Sequence, residues 1–259
     1  MNDLLFENQV VAISGAASGI GRTTAIEFAK RGAAVSLLDI SGTVRGVVDE
    51  ILTFGGRATQ TIGDVSQATV VDEFHTNTLR VFGHVNHLIN NAGIDITDRG
   101  NLIKMPWGDV ERIIQVNLFG YMHCCRAFIP SMPKGGRVVN VSSVQAFTAH
   151  RPCTSYQASK GAIVSMTQSL AVEYGPRGIN VNAVAPGAIA IEGVGNNTRA
   201  IEPKIGKAYN ERIPLGRRGK TEEIAWPILF LCSPWAAYIN GTCLVIDGGY
   251  TIDITPNID

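Results

Sequence analysis

The 259-residue sequence predicts an α/β fold, a doubly wound sheet of about seven parallel strands with helices on both faces. Two features carry this. Short apolar runs alternate from end to end with longer segments of helical character, the pattern of βαβ units. Hydrophobic residues make up 45% and charged residues only 17%, with 28 glycines, a composition suited to strands covered on both faces.

The elements follow in order. Val10–Ser14 is an apolar run that opens the sheet, and a glycine-rich turn leads into a helix near Ile20–Arg31. Ala34–Asp39 forms the second strand, and Ser41 is a candidate N-cap for a helix near Thr43–Phe54. Ala58–Ile62 and a helix near Gln67–Phe82 make the next unit, followed by a strand at His87–Asn90 and one long helix near Gly108–Pro130. Strands at Arg137–Ser142, Asn180–Val184 and Cys243–Ile246 alternate with helices near Ser155–Tyr174 and Thr221–Cys232, the latter capped by Thr221. No repeat, low-complexity tract or linker divides the chain, so residues 1–259 read as one domain. Residues 188–212 break the rhythm: they are rich in Gly, Asn and charge, contain Pro203, and follow a strand end, which suggests a mobile substrate lid.

Lys plus Arg (22) balance Asp plus Glu (22), and no basic stripe runs along the chain. Nucleic acid and anionic membrane are therefore poor partners. Cys124, Cys125, Cys153, Cys232 and Cys243 are odd in number and lack CxxC spacing, so they read as buried thiols in a reducing compartment, with no metal site among them. The first residues lack the positive segment and apolar stretch of a secretion signal, and no apolar run approaches the ~18 residues of a membrane span. A cytoplasmic protein is expected. The two Asn-x-Thr matches, at Asn196 and Asn240, are then accidents of composition.

Chemistry enters at the strand ends. Gly15, Gly19 and Gly21, with Ser18 and Ile20, lie between the first strand and the first helix, where glycines let the backbone approach a pyrophosphate at the positive end of a helix. Asp39 closes the second strand, where a carboxylate can accept hydrogen bonds from the adenosine ribose hydroxyls and repel a 2′-phosphate. No Arg or Lys follows directly, since Ile40 and Ser41 come next, so NAD is preferred over NADP. Asp64 and Val65 end the third strand, with the carboxylate toward the adenine amine, and Asn91, Ala92 and Gly93 end the fourth, where small residues admit backbone against the cofactor.

Tyr156 and Lys160 stand four residues apart, with Ser143 thirteen residues before Tyr156. On a helix that interval puts the ammonium beside the phenol. A neighbouring cation favours the phenolate, so the pair is expected to exchange protons nearer neutral pH than a free phenol does. Ser143 adds a hydroxyl at the same oxygen; Ser142 competes for that role, but strand alternation turns it to the other face.

Together Ser14-Gly15-Ala16-Ala17-Ser18-Gly19-Ile20-Gly21, Asn90-Asn91-Ala92-Gly93, Asn117, Val141-Ser142-Ser143, Tyr156-Gln157-Ala158-Ser159-Lys160, Asn182-Ala183-Val184-Ala185-Pro186-Gly187 and Asp247-Gly248-Gly249 are highly specific. From about Val10 to Gly249 the chain resembles a short-chain dehydrogenase/reductase of the compact branch, whose fold is the Rossmann-type sheet. The resemblance implies Tyr156 as catalytic acid/base and Lys160 as the residue that bonds the nicotinamide ribose and lowers the tyrosine pKa. It implies Ser143 as the hydroxyl that holds the substrate oxygen, and Asn117 as the residue whose backbone carbonyl holds a water linking Lys160 to solvent. Pro186, Gly187 and Ile189 would meet the nicotinamide end of NAD. It further implies pairing through the Asn117 and Tyr156 helices and stacking of the C-terminal segments into a homotetramer.

The chain departs from that pattern in places. Ser14 replaces the usual threonine and keeps a hydroxyl; Asn86 stands where an aspartate is common. Ile189-Ala190-Ile191 follows Pro186-Gly187 where the family often shows Ile-x-Thr, which removes a hydroxyl and about 1 kcal/mol of cofactor binding. The substrate pocket should draw on Ser143, Gln145, Phe147, Cys153, Tyr156 and Ile189, with His150 in reach. That mixed surface fits a secondary alcohol or ketone of modest size, cyclic or polyhydroxylated. A cofactor-binding protein without turnover, an NADP-dependent carbonyl reductase, and an enoyl reductase or epimerase on the same fold are the alternatives. His75, His84 and His87 read as helix or loop positions far from the trio, His123 as packing or helix surface, and Trp107, Trp226 and Trp235 as core or interface aromatics.

Overall fold

A computed structural model of the protein describes residues 5–96, 101–149, 152–191 and 203–253. His150 and residues 192–202 of the expected lid lie outside the described residues. Seven parallel strands form one sheet in the order β3-β2-β1-β4-β5-β6-β9: β1 Val10–Ser14, β2 Ala34–Asp39, β3 Arg57–Ile62, β4 His87–Asn90, β5 Arg137–Val141, β6 Asn180–Pro186 and β9 Cys243–Ile246. The order reverses between β1 and β4, and at such a reversal the crossover helices leave to opposite faces and open a crevice at the carboxyl ends of the strands.

Strand alternation divides the core. Val11, Ile13, Val35 and Leu37 pack with α1 Gly19–Lys30, α2 Val44–Thr53 and α8 Glu222–Cys232 on one face. Ala12, Leu38, Leu88, Val138 and Val181 pack on the other with α3 Ala68–Phe82, α5 Gly120–Phe128 and α6 Thr154–Tyr174. Two buried layers explain why the strands read as unbroken apolar runs.

Four expectations need correction. The single helix expected near Gly108–Pro130 is α4 Trp107–Ile114, a π-helical turn at Gln115–Phe119, then α5 and a 3₁₀ turn at Ile129–Ser131. Helical periodicity does not register one inserted residue, and the turn is identified by Gly120 N–H bonding Gln115 O, five residues back. The irregular stretch after β6 contains β7 Ile189–Ala190, paired with β8 Gly219–Lys220, and α7 Pro203–Arg212. Pro203 opens that helix, a position where its missing N–H costs nothing. Ser41 is not an N-cap, since α2 begins after Thr43. Thr221 holds the N-cap position of α8, but its helical backbone (φ −61°, ψ −33°) leaves its hydroxyl without a capping bond.

Ser14 and Asn86, which depart from the family pattern, both tie β1 to β4. Asn86 Oδ1 accepts Val10 N–H at 2.8 Å, which ties β1 to the start of β4. Ser14 Oγ accepts Asn91 N–H and Ala92 N–H at 3.1 and 3.2 Å. The three tryptophans are exposed rather than core residues.

Candidate active site

The glycine turn is shaped for close backbone approach. Gly15 and Gly19 have φ of +67° and +54°, and Gly15 N–H bonds Leu38 O at 2.8 Å. A Cβ on Gly15 would lie 2.6 Å from Ala92 Cα, and one on Gly21 would run into the Gly15 carbonyl. Neither position accepts a side chain. Asn91 also shapes the turn: its Nδ2 donates to Gly15 O at 2.8 Å and Ser14 O at 3.2 Å. The residue after Gly15 that faces the helix end, Ser18, is extended and makes no capping bond. These features fit a pyrophosphate at the start of α1.

Asp39 is braced on both oxygens, Oδ2 by Ala17 N–H and Oδ1 by Ser41 N–H, each at 2.8 Å. Its role in local chain geometry is therefore larger than the sequence suggested, and each oxygen keeps a further lone pair for a ribose hydroxyl. Asp64 is more heavily engaged. Oδ1 accepts Ser66 N–H and Oγ–H at 2.9 and 2.8 Å, and Oδ2 pairs with Arg112 Nη2 at 2.7 Å. Burial alone would raise its pKa, but these partners together hold it below the ordinary value. Val65 is buried beside Gly120, where a Cβ would come within 2.8 Å of Val65 Cγ1.

Ser143, Tyr156, Lys160 and Asn117 converge at the strand ends. Lys160 is buried on α6, its Nζ donating to Val141 O at 2.9 Å and standing 5.6 Å from the Tyr156 ring centre. Ser143, just past β5, hydrogen-bonds the Tyr156 side chain, and its Oγ accepts Gln145 N–H at 3.2 Å. Ser142 turns away, as alternation requires, and donates to Lys160 O at 2.8 Å. Asn117 lies in the π turn, fully buried. Its Oδ1 accepts Ile94 N–H at 2.8 Å while Nδ2 donates to Ile94 O and Ser159 Oγ. Gly93 passes between: a Cβ there would lie 3.4 Å from Asn117 Oδ1 and 3.5 Å from Lys160 Nζ.

Burial works against the proton exchange expected of the pair. Burial pushes the Tyr156 phenol up to about 12, with the Asp95 carboxylate adding to the rise and the Ser143 hydrogen bond opposing it. Burial brings Lys160 down to about 8, against the pull of Asp95. Lys160 thus stays charged at neutral pH, but it does not by itself make the phenol acidic. Lowering that phenol toward neutral pH therefore calls for more than the one ammonium.

Of the expected substrate wall, Gln145 Oε1 is buried with no hydrogen-bond partner among the described residues, Phe147 is exposed, and Cys153 is buried at the start of α6. Ile189 does not belong to that wall: its side chain packs beside the core, and a Cβ on Gly219 would come within 2.8 Å of its Cδ1. Pro186 ends β6, and Gly187 sits where a Cβ would meet Asp247 Cβ at 2.7 Å. Sequence reasoning missed Asp95, Tyr121 and Tyr209. Tyr121 OH donates to the same Val141 carbonyl as Lys160, at 3.1 Å, and its ring lies 5.7 Å from Nζ. Tyr209 on α7 has its phenol pushed up by burial and by Tyr250, with Cys153 and Asp95 adding to the rise. Asp95, two residues beyond the small-residue turn, was the one of these that position alone could have flagged.

Comparison with known proteins agrees with this geometry. A family model described as enoyl-(acyl carrier protein) reductase matches residues 15–251. A 3-oxoacyl-(acyl-carrier-protein) reductase of Thermotoga maritima is 38% identical, covering 95% of this chain and 99% of its own. An L-rhamnose 1-dehydrogenase (NAD(P)(+)) of a Sphingomonas species is 36% identical over 96% and 99%. Among solved structures, a short-chain dehydrogenase from Burkholderia cenocepacia in complex with NADP superposes with a TM-score of 0.88 at 29% identity, over 95% of this chain and 99% of that one. A glycine cradle at the switch point, a buried lysine beside a tyrosine and serine, and likeness over nearly the whole chain lead to one assignment: this protein is an oxidoreductase of the short-chain dehydrogenase/reductase family, whose members bind a nicotinamide dinucleotide.

Proposed function

We propose that the protein interconverts a secondary alcohol and a ketone with NAD(H). The observation that carries this reading is the convergence of Ser143, Tyr156 and buried Lys160 at the strand ends beside the glycine turn. When bound, the nicotinamide supplies the hydride acceptor or donor and, oxidised, a positive charge near the phenol. Tyr156 takes the alcohol proton in oxidation and returns it in reduction; Ser143 holds the substrate oxygen within reach of the phenol. Lys160 adds the second positive charge that lowering the phenol pKa requires, and it bonds the nicotinamide ribose. The backbone carbonyl of Asn117, set in the π turn, holds a water that leads Lys160's proton to solvent. Ser18, Gly19 and Ile20 meet the pyrophosphate, and Ala92 and Gly93 admit the cofactor beside Lys160.

NAD is preferred because Asp39 presents a carboxylate, fixed by Ala17 and Ser41, where a 2′-phosphate would sit. The relative whose printed name includes NAD(P)(+) and the neighbour in complex with NADP mark the alternative. Gln145, with an unpartnered carbonyl, and Asp95 near the phenol favour a substrate with a further hydroxyl, in line with the sugar substrate in the name of one relative. The interval of four between Tyr156 and Lys160 favours carbonyl over enoyl reduction. We further propose a cytoplasmic homotetramer. Among the described residues no helix is long and apolar enough to cross a membrane.

A panel of alcohols, polyols and ketones with NAD(H) and NADP(H), followed by reduced-nicotinamide absorbance, tests the reading. Turnover with NAD(H) is expected, and Tyr156→Phe should lower kcat/KM by about 10²–10⁴-fold. Turnover with NADP(H) alone would remove the role given to Asp39.

A further inference from the structure

We propose that Ile191 stands where the cofactor's pyrophosphate must pass, so that this side chain has to turn away before the dinucleotide seats and thereby sets how fast and how tightly it binds. The proposal rests on the dinucleotide reading of the glycine turn. Of the three glycines, Gly15 and Gly21 face inward, since side chains there would strike Ala92, Asn91 and the turn's own backbone. Gly19 faces outward. The second glycine of such a turn lacks a side chain so that the backbone can approach the pyrophosphate. A Cβ placed on Gly19 therefore points into the pyrophosphate's space.

In this chain the three heavy atoms nearest that Cβ all belong to Ile191: Cδ1 at 3.4 Å, Cγ2 at 3.6 Å and Cγ1 at 3.9 Å. The side chain reaches across the crevice, from the end of β7 to the start of α1, and is itself 42% exposed. Its origin is held: Ile189 and Ala190 pair in register with Gly219 and Lys220. An aliphatic group cannot donate to phosphate oxygens, and anionic oxygens pressed against it would lose water without replacement. Ile191 and a seated pyrophosphate thus compete for one space. Apparent affinity is then reduced by the fraction of molecules in which Ile191 is turned away. The missing family threonine has a steric consequence beyond its lost hydroxyl.

Stopped-flow mixing of the full chain with NADH, read by nicotinamide fluorescence, tests this in the wild type, Ile191→Ala and Ile191→Thr. Alanine removes the three interfering atoms and adds no hydrogen-bonding group. Association should quicken by about three- to tenfold and Kd fall by a similar factor, with dissociation little changed; threonine should change association in the same direction. Unchanged or slower association in a variant whose circular dichroism matches the wild type would overturn the proposal. Should both variants lose their fold, Ile191→Val decides: it removes Cδ1, the atom nearest Gly19, so association should still quicken, and an unchanged rate rejects the idea. A wild type that binds neither NADH nor NADPH sinks the dinucleotide reading and this proposal with it, whereas binding with unaltered association sinks this proposal alone.

Discussion

At the residue scale, the proposed acid/base chemistry depends on charges that do not all lie in the Tyr-x-x-x-Lys motif. Helical spacing puts Lys160 next to Tyr156, yet burial dominates both groups and moves them in opposite directions, the phenol up to about 12 and the ammonium down to about 8. Asp95 opposes the phenolate from across the site. Asp95→Asn removes that opposition, so the pH at which alcohol oxidation reaches half its maximum should move downward. A pH–rate profile of kcat/KM for the two proteins checks this; an unmoved or upward-shifted midpoint would contradict the placement of Asp95 beside the phenol.

At the scale of elements, the strand carboxyl ends carry the chemistry while the opposite ends carry a buried titratable group. His87 opens β4, fully buried against Phe6 and Phe28 and bonded to Gln9. Burial, reinforced by Arg137, holds its pKa down to about 3 from an ordinary 6.5. The unfolded chain binds a proton there between those two values while the folded one does not, so His87 contributes stability above pH 6.5 that is lost as pH falls toward 3. The full loss is on the order of 5 kcal/mol. Urea midpoints from pH 7 to pH 4 should therefore fall steeply for the wild type and less steeply for His87→Gln. Equal slopes would place the acid sensitivity elsewhere.

At the scale of the molecule, apolar surface gathers around the last strand and α8. Trp226, Phe230, Trp235, Tyr238, Leu244 and Val245 are all exposed, and β9 is the edge of the sheet. Large exposed aromatics beside an unpaired edge suit the proposed association. Val172 on α6 and Met122 on α5 are likewise exposed, on the helices expected to pair. Sedimentation equilibrium should give a mass several times that of the 27.7 kDa chain; a mass of one chain would refute the assembly. Trp226→Glu should shift the distribution toward smaller species, because a charge at a buried contact is costly.

The sequence by itself determined the strands, their parallel pairing and the glycine turn, because these are set by local pattern: β1, β2, β4 and β9 begin and end where their apolar runs do. The Tyr156–Lys160 pair was legible for the same reason, since four residues on a helix fix a shared face. Tertiary structure alone decided what required distant segments to meet. Asp95 near the phenol, Tyr121 sharing the Val141 carbonyl with Lys160, and Ile191 against Gly19 join residues from 19 to 172 positions apart. No local pattern encodes such contacts, because burial and charge at a point are sums over neighbours that only the folded chain brings together.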